Sequence, residues 1–326
     1  MKRNSFLNIN SYSDFENCAL KTFQFQVKNN TVYSEFINHL NCDVSNVKSI
    51  YEIPFLPIQF FKSHQIISST RKIEQTFLSS GTTGVEQSKH LVTDVAIYEK
   101  SFRTAFEQFY GNIEDYTVLA LLPSYLERDG SSLIYMVNDL IKRSNKIKSG
   151  FYLNNLNELS KNLTELDKKG EKTILIGVSY ALLDLVEAFS FELKNTIIME
   201  TGGMKGRRKE LIREELHAVL CEGFGVEEIH SEYGMTELLS QAYSKGSGLF
   251  ESPPWMKVLT RDTEDALTIL PEGKSGGINV IDLANINSCS FIATQDLGKI
   301  FPNGTFEVLG RFDNTDIRGC NLLLLK

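Results

Sequence analysis

Apolar residues recur at helical spacing over residues 14–28 and again over 93–109, where Asp94 supplies an early acid, so both stretches are expected to form amphipathic helices. The pattern then changes. "TVLALLP" (117–123), "TILIG" (173–177) and "TIIME" (196–200) are short unbroken apolar runs, as in strands buried on both faces of a mostly parallel sheet, and a helical pattern follows each. This alternation predicts an α/β fold. From about residue 275 come "GGINVIDL", "CSFIATQDLG" and "GTFEVLGRF", with Asn303-Gly304 read as a two-residue hairpin turn, which predicts antiparallel β in the C-terminal part. No repeat or low-complexity linker interrupts the chain, and residues 1–326 read as one domain.

Each predicted parallel strand ends in polar or glycine-rich sequence: "PSYLERDGSS", "VSY" and "TGGMKG". Ligands of open α/β sheets bind at such strand ends. The formal charge of −7 argues against a nucleic-acid or anionic-membrane binder, which needs a dominant basic face. The most apolar run, "ILIGVSYALLDLVEAF", is interrupted by Asp184 and Glu187, and "MKRNSFLNIN" has no apolar core of a signal peptide, so neither a membrane span nor export is expected. The five cysteines, Cys18, Cys42, Cys221, Cys289 and Cys320, are scattered without CxxC spacing, which fits a reducing cytoplasm.

Ser79, Ser80, Gly81, Thr82, Thr83 and Gly84 form "SSGTTG", with Lys89 and His90 behind. Two glycines allow a tight turn and four hydroxyls supply small donors, so the segment suits a polyphosphate; an ordinary surface loop has the same composition. It is not a Walker A loop, because Glu86 and Gln87 stand where that motif needs glycine and lysine. In "HSEYGMTELLSQAY" (230–243), which comes after the β-like "EEI", Tyr233 can lie against a planar ring, Gly234 lets the backbone approach, and Thr236 with Glu237 can take phosphate and a divalent cation. A turn into a helix is the structural alternative. Asp296 in "ATQDLG" and Arg311 and Arg318 in "LGRFDNTDIRGC" taken alone fit a solvated hairpin. "GVSYA" (177–181) nearly matches a nucleophile elbow, and Ser179, Asp184 and His230 keep the chain order of a hydrolase triad, but that leaves the phosphate loop and the final third unexplained.

Together and in this order, "SSGTTG", the "GG" at Gly202 and Gly203, "YGMTE", "TQDLG" and "GRFD" resemble the adenylate-forming enzymes. "IPFLPIQFFKSHQI" (53–66), "EYGMTELLSQAY" and "GRFDNTDIRGC" make the chain most similar to LuxE-like acyl-protein synthetases, with phenylacetate-CoA ligases as more distant relatives. The resemblance implies the large domain of that superfamily, without the small mobile C-terminal domain, and an acid-thiol ligase using ATP and Mg²⁺ on a carboxylic, fatty acid. Ser79 to Gly84 would hold the phosphates, Gly202 and Gly203 would flank the adenine, Tyr233 would stack on it, and Gly234 would let the backbone approach the nucleotide. Thr236 and Glu237 would take phosphate and Mg²⁺, Asp296 the ribose hydroxyls, and Arg311 ribose and phosphate. Lys89, Lys205, Arg311 and Arg318 are the candidates for positive charge at the α-phosphate. Cys320 would accept the acyl group and pass it to an acyl-CoA reductase (LuxC-like) or an acyl carrier protein. Coenzyme A as direct acceptor and a non-catalytic nucleotide-binding partner protein are the competing implications. The segments 54–61 and 121–135 would wall an acyl site, or else be ordinary core.

Overall fold

A computed structural model describes residues 5–80, 86–123, 130–202 and 211–311. The chain divides into two compact units, the first formed by residues 1–74, 88–93 and 254–326, the second by 75–87 and 94–253.

The second unit is built on a six-stranded sheet. Its strands run in the order Gly150–Phe151, Thr117–Leu121, Thr173–Val178, Thr196–Thr201, His230–Tyr233, Ala242–Ser244, and all neighbours are parallel except the last pair. Every residue of Thr117–Leu121 and Thr173–Val178 is buried, which is why these strands read as unbroken apolar runs. Helices Ser132–Ser144, Ser179–Ala188 and Arg213–Phe224 are the crossovers that parallel pairing requires. The last of these stops at Gly225, whose φ of 68° is left-handed and where a Cβ would lie 2.7 Å from the Phe191 carbonyl oxygen.

Tyr12–Asn29 and Val95–Tyr110 are the two helices expected from the periodicity, and Asp94 takes the N-cap position of the second. Tyr12–Asn29 belongs to the first unit, whose sheet joins Leu56–Pro57, Phe291–Ile300, Ser275–Asp282 and Met256–Arg261, with Phe306–Arg311 beside Phe291–Ile300. The strand Met256–Arg261 begins well before the β pattern seen in the sequence.

Aromatic side chains fill this unit. Phe291 packs against Phe23, Tyr33 and Phe55, and Leu56 and Phe61 are fully buried, so residues 54–61 are core here. Buried amides tie distant segments together. Gln26 donates to the carbonyls of Asn285 (3.1 Å) and Ile286 (2.9 Å) and accepts from the Ser290 N–H (2.9 Å). Asn30, which caps the next helix through Tyr33 N–H, donates to the Ser288 carbonyl at 3.1 Å.

The hairpin turn differs from expectation. Only Gly304 has positive φ, the Gly304 N–H bonds to the Phe301 carbonyl, and Phe301 N–H bonds to the Thr305 carbonyl, so the loop is the three residues 302–304. Pro302 is the reason: its fixed φ suits the second position of a type I turn, and it has no N–H for the ladder.

Candidate functional site

In the second unit the polar groups gather at the carboxyl end of the sheet. Thr196–Thr201 and His230–Tyr233 pair in parallel with Thr201 beside Glu232, so the next residue along, Gly202, comes level with Tyr233. Gly202 turns the chain with φ of 67°. Tyr233 is largely buried and stands edge-on to Phe250, ring centroids 5.9 Å apart. The strand therefore lies inside the "HSEY" stretch rather than before it. Beyond Tyr233 the chain makes a tight turn, not a helix: Leu238 N–H bonds to the Met235 carbonyl and the chain returns antiparallel as Ala242–Ser244. A Cβ at Gly234 would press on Glu232 Oε1, so a side chain there would displace that carboxylate. Thr236 is half-buried and Glu237 buried.

Ser79 and Ser80 come directly after the strand Gln75–Leu78. The Ser79 carbonyl accepts from Gln87 Nε2 at 2.8 Å, which pins the two ends of the candidate phosphate loop. Gly81, Thr82, Thr83, Gly84, Gly203, Lys205, Arg318 and Cys320 lie outside the described residues.

Two buried carboxylates under these turns are missed by the sequence motifs. Glu200 accepts from Arg213 Nη1 at 2.8 Å, with His217 Nε2 at 3.7 Å and Ser179 Oγ at 3.2 Å. Burial alone would raise this carboxyl; the adjacent His217 and Arg213 outweigh it and hold it below the ordinary value. Arg213 also donates to Ser231 Oγ and lies over the Phe250 ring, 4.9 Å from its centroid. Glu232 moves the other way: burial, with the nearby charge of Glu200, pushes it up to about 7 although Thr201 donates to it. The one sequence signal is a glutamate near the end of the apolar "TIIME" run.

Ser179 Oγ also lies 2.6 Å from the Gly202 carbonyl oxygen, so this hydroxyl fastens the glycine turn. His230 faces the Tyr110 hydroxyl at 3.2 Å, and burial pulls its imidazole down to about 4. Neither contact is that of a Ser–His couple, and the hydrolase alternative loses its geometric basis.

In the first unit, Asp296 and Arg311 are direct partners across antiparallel strands, with Arg311 Nε 3.3 Å from Asp296 Oδ1. The aspartate is largely buried and the arginine side chain 73% exposed. Lys89 is exposed at the start of Lys89–Val92. His90 is fully buried, 3.0 Å from Asn285 Oδ1, and is a core residue. Burial raises the thiols of Cys18, Cys42 and Cys221 and pushes that of Cys289 up to about 12. Among the described residues no three His, Cys, Asp or Glu side chains converge as a metal cluster, and no helix is long and apolar enough to cross a membrane.

A family model for the acyl-protein synthetase LuxE matches residues 135–326, more than half of the chain. The chain belongs to the LuxE acyl-protein synthetase family. A comparison with curated proteins returns no match. Among solved structures this LuxE-family chain is similar to ATP-bound MatB from Rhodopseudomonas palustris, with TM-score 0.54, 18% identity, and 75% of this chain and 50% of that one covered. It is similar also to O-succinylbenzoate coenzyme A synthetase (MenE) from Bacillus subtilis in complex with ATP and magnesium ion, with TM-score 0.51, 19% identity and coverage of 74% and 51%. A 2-hydroxyisobutyryl-CoA ligase in complex with 2-HIB-AMP and CoA aligns over 94% of this chain and 77% of its own, with TM-score 0.67 and 10% identity. The chain spans about half the length of the first two. At these identities the likeness establishes the fold, that of the large N-terminal domain of adenylate-forming enzymes.

Proposed function

We propose that the protein activates a carboxylic acid, a fatty acid in the first instance, with ATP. A carboxylate oxygen attacks the α-phosphorus, the bond to the bridging oxygen breaks, and acyl-AMP and pyrophosphate result. A thiolate, that of Cys320, then attacks the acyl carbonyl and AMP leaves, and the thioester is delivered to an acyl-CoA reductase or an acyl carrier protein. The observation that carries this reading is the level placement of Gly202 and Tyr233 at the end of a parallel sheet in a LuxE-family chain. A side-chain-free turn beside an aromatic ring makes a slot for a flat base.

In this reading Ser79, Ser80, Gly81, Thr82, Thr83 and Gly84 donate to the phosphates, Gly202, Gly203, Tyr233 and Gly234 hold the adenine, and Asp296 accepts from the ribose hydroxyls. Arg311 and Lys89 meet charge that builds on the phosphates. Thr236 would bind phosphate and Glu237 would hold Mg²⁺, one or two carboxylates being the usual protein share for that ion, and the ion would neutralise phosphate charge. The reducing cytoplasm suits a thiol acceptor. The thiols of Cys18, Cys42, Cys221 and Cys289 are all raised by burial, the opposite of an acyl acceptor.

Carboxylate-dependent ATP–pyrophosphate exchange, run across fatty acids of different chain length, tests the reading. Exchange that appears with a fatty acid and vanishes without it is the expected result. A protein that binds ATP but exchanges with no acid is a binding module, and the proposal fails.

A further inference from the structure

The strand Met256–Arg261 ends on an arginine to which adenylation and acyl transfer assign no role. Arg261 is 7% exposed and its guanidinium donates three times within the sheet: to the Ile278 carbonyl (2.8 Å), to Asn279 Oδ1 (2.8 Å) and to the Thr294 carbonyl (2.6 Å). Space for it depends on Gly277, where a Cβ would lie 2.7 Å from the guanidinium carbon.

These contacts surround an irregularity in the ladder. Gly277 pairs with Leu297 and Asn279 with Ala293, so the single residue Ile278 faces three, Thr294, Gln295 and Asp296. A bulge of this kind leaves ladder carbonyls without their N–H partners and re-aims the side chains it contains. Here the guanidinium and Thr294 Oγ1 (2.9 Å) both donate to the Ile278 carbonyl, and Thr294 Oγ1 in turn accepts from the Asp296 N–H at 3.1 Å. Burial lowers Arg261 to about 10 against the opposing pull of Asp296, so it stays cationic at neutral pH.

We infer that Arg261 is a positioning residue for Asp296, its guanidinium filling the bulge that fixes where the aspartate carboxylate stands for the nucleotide ribose. The inference rests on the ribose role proposed for Asp296. A surface ion pair with the exposed Arg311 orders Asp296 only weakly; the buried, three-fold bonded Arg261 holds the backbone from which it projects.

The test compares ATP with 2′,3′-dideoxy-ATP in the exchange assay and in direct binding. The wild-type protein should prefer ATP by roughly tenfold or more, as expected for hydrogen bonds to a charged group. Asp296→Ala should abolish the preference, Arg261→Met should reduce it to about twofold, Arg261→Lys should restore part of it, and Arg261→Met added to Asp296→Ala should change it no further. A general loss of stability would lower activity with both nucleotides and leave their ratio alone. If Arg261→Met does not fold, Arg261→Lys decides: it keeps the charge but offers fewer directed donors, so a reduced ratio supports the inference and the wild-type ratio overturns it. Asp296→Ala with the wild-type preference sinks the ribose role and the inference with it. Arg261→Met with the wild-type preference, where Asp296→Ala has lost it, sinks the inference alone.

Discussion

Thr201 donates its hydroxyl to the buried carboxyl of Glu232 at 2.5 Å, across two parallel strands whose next residues are Gly202 and Tyr233. The carboxyl end of the sheet thus holds a carboxyl that burial pushes up to about 7.

Glu232→Gln is expected to stabilise the protein at alkaline pH. Glu232 shifts from 4.5 to about 7, so the native state holds this proton while the unfolded state has released it. Stability from this group is therefore full below pH 4.5, falls as pH rises, and is lost above 7, by about 3 kcal/mol in all. His230, pulled from 6.5 to about 4, acts the other way and loses stability as pH falls through that range. Urea unfolding from pH 4.5 to 8.5 should show the variant's advantage growing with pH. Equal stability at pH 8 would refute the assignment.

Arg213→Met should destabilise by about 3 kcal/mol, because it leaves the buried Glu200 charge without the cation 2.8 Å away. Adding Glu200→Gln should recover a good part of the loss in the same denaturation assay. If the double variant is no better than the single one, packing of Arg213 on Phe250 is what the mutation removes.

How far these groups are legible in the sequence depends on their surroundings. Thr117–Leu121 and Thr173–Val178 are visible because burial on both faces leaves almost only apolar letters after each opening threonine. The helix Tyr12–Asn29 is visible through its apolar spacing. Glu200, Arg213 and His217 are not, since a buried ion pair has no periodicity and its members sit on a strand and a later helix. Arg261 looks like a solvent arginine until the pairing of Met256–Arg261 with Ser275–Asp282 puts it over Gly277. Tyr233, Gly234, Thr236 and Glu237 stand together in the sequence, but the strand and return turn that hold them emerge only from the fold.

Glu237→Gln is expected to lower Mg²⁺-dependent ATP–pyrophosphate exchange by about a hundredfold or more, through loss of one metal-binding charge. Titrating Mg²⁺ should not rescue it fully, and circular dichroism should stay that of the wild type. Exchange at the wild-type rate would remove Glu237 from the site.

Cys320→Ser should keep exchange and lose the thioester, read as hydroxylamine-labile labelling by radioactive fatty acid, because a serine hydroxyl is far less nucleophilic near neutral pH. Equal labelling of the variant, or turnover only with added coenzyme A, would replace the acyl-protein reading with that of a CoA ligase.

The amides of Gln26 and Asn30 bind carbonyls some 260 residues downstream, at Asn285, Ile286 and Ser288. During synthesis at ordinary speed these two residues therefore wait roughly 10–50 s for their partners to be made. The residues of the six-stranded sheet, all within 117–244, leave the ribosome before those of the strands Met256–Arg261 and Phe291–Ile300. The first unit, which joins residues 1–74 to residues 254–326, is therefore the one whose pairings wait longest, and sequence separation of this size slows folding.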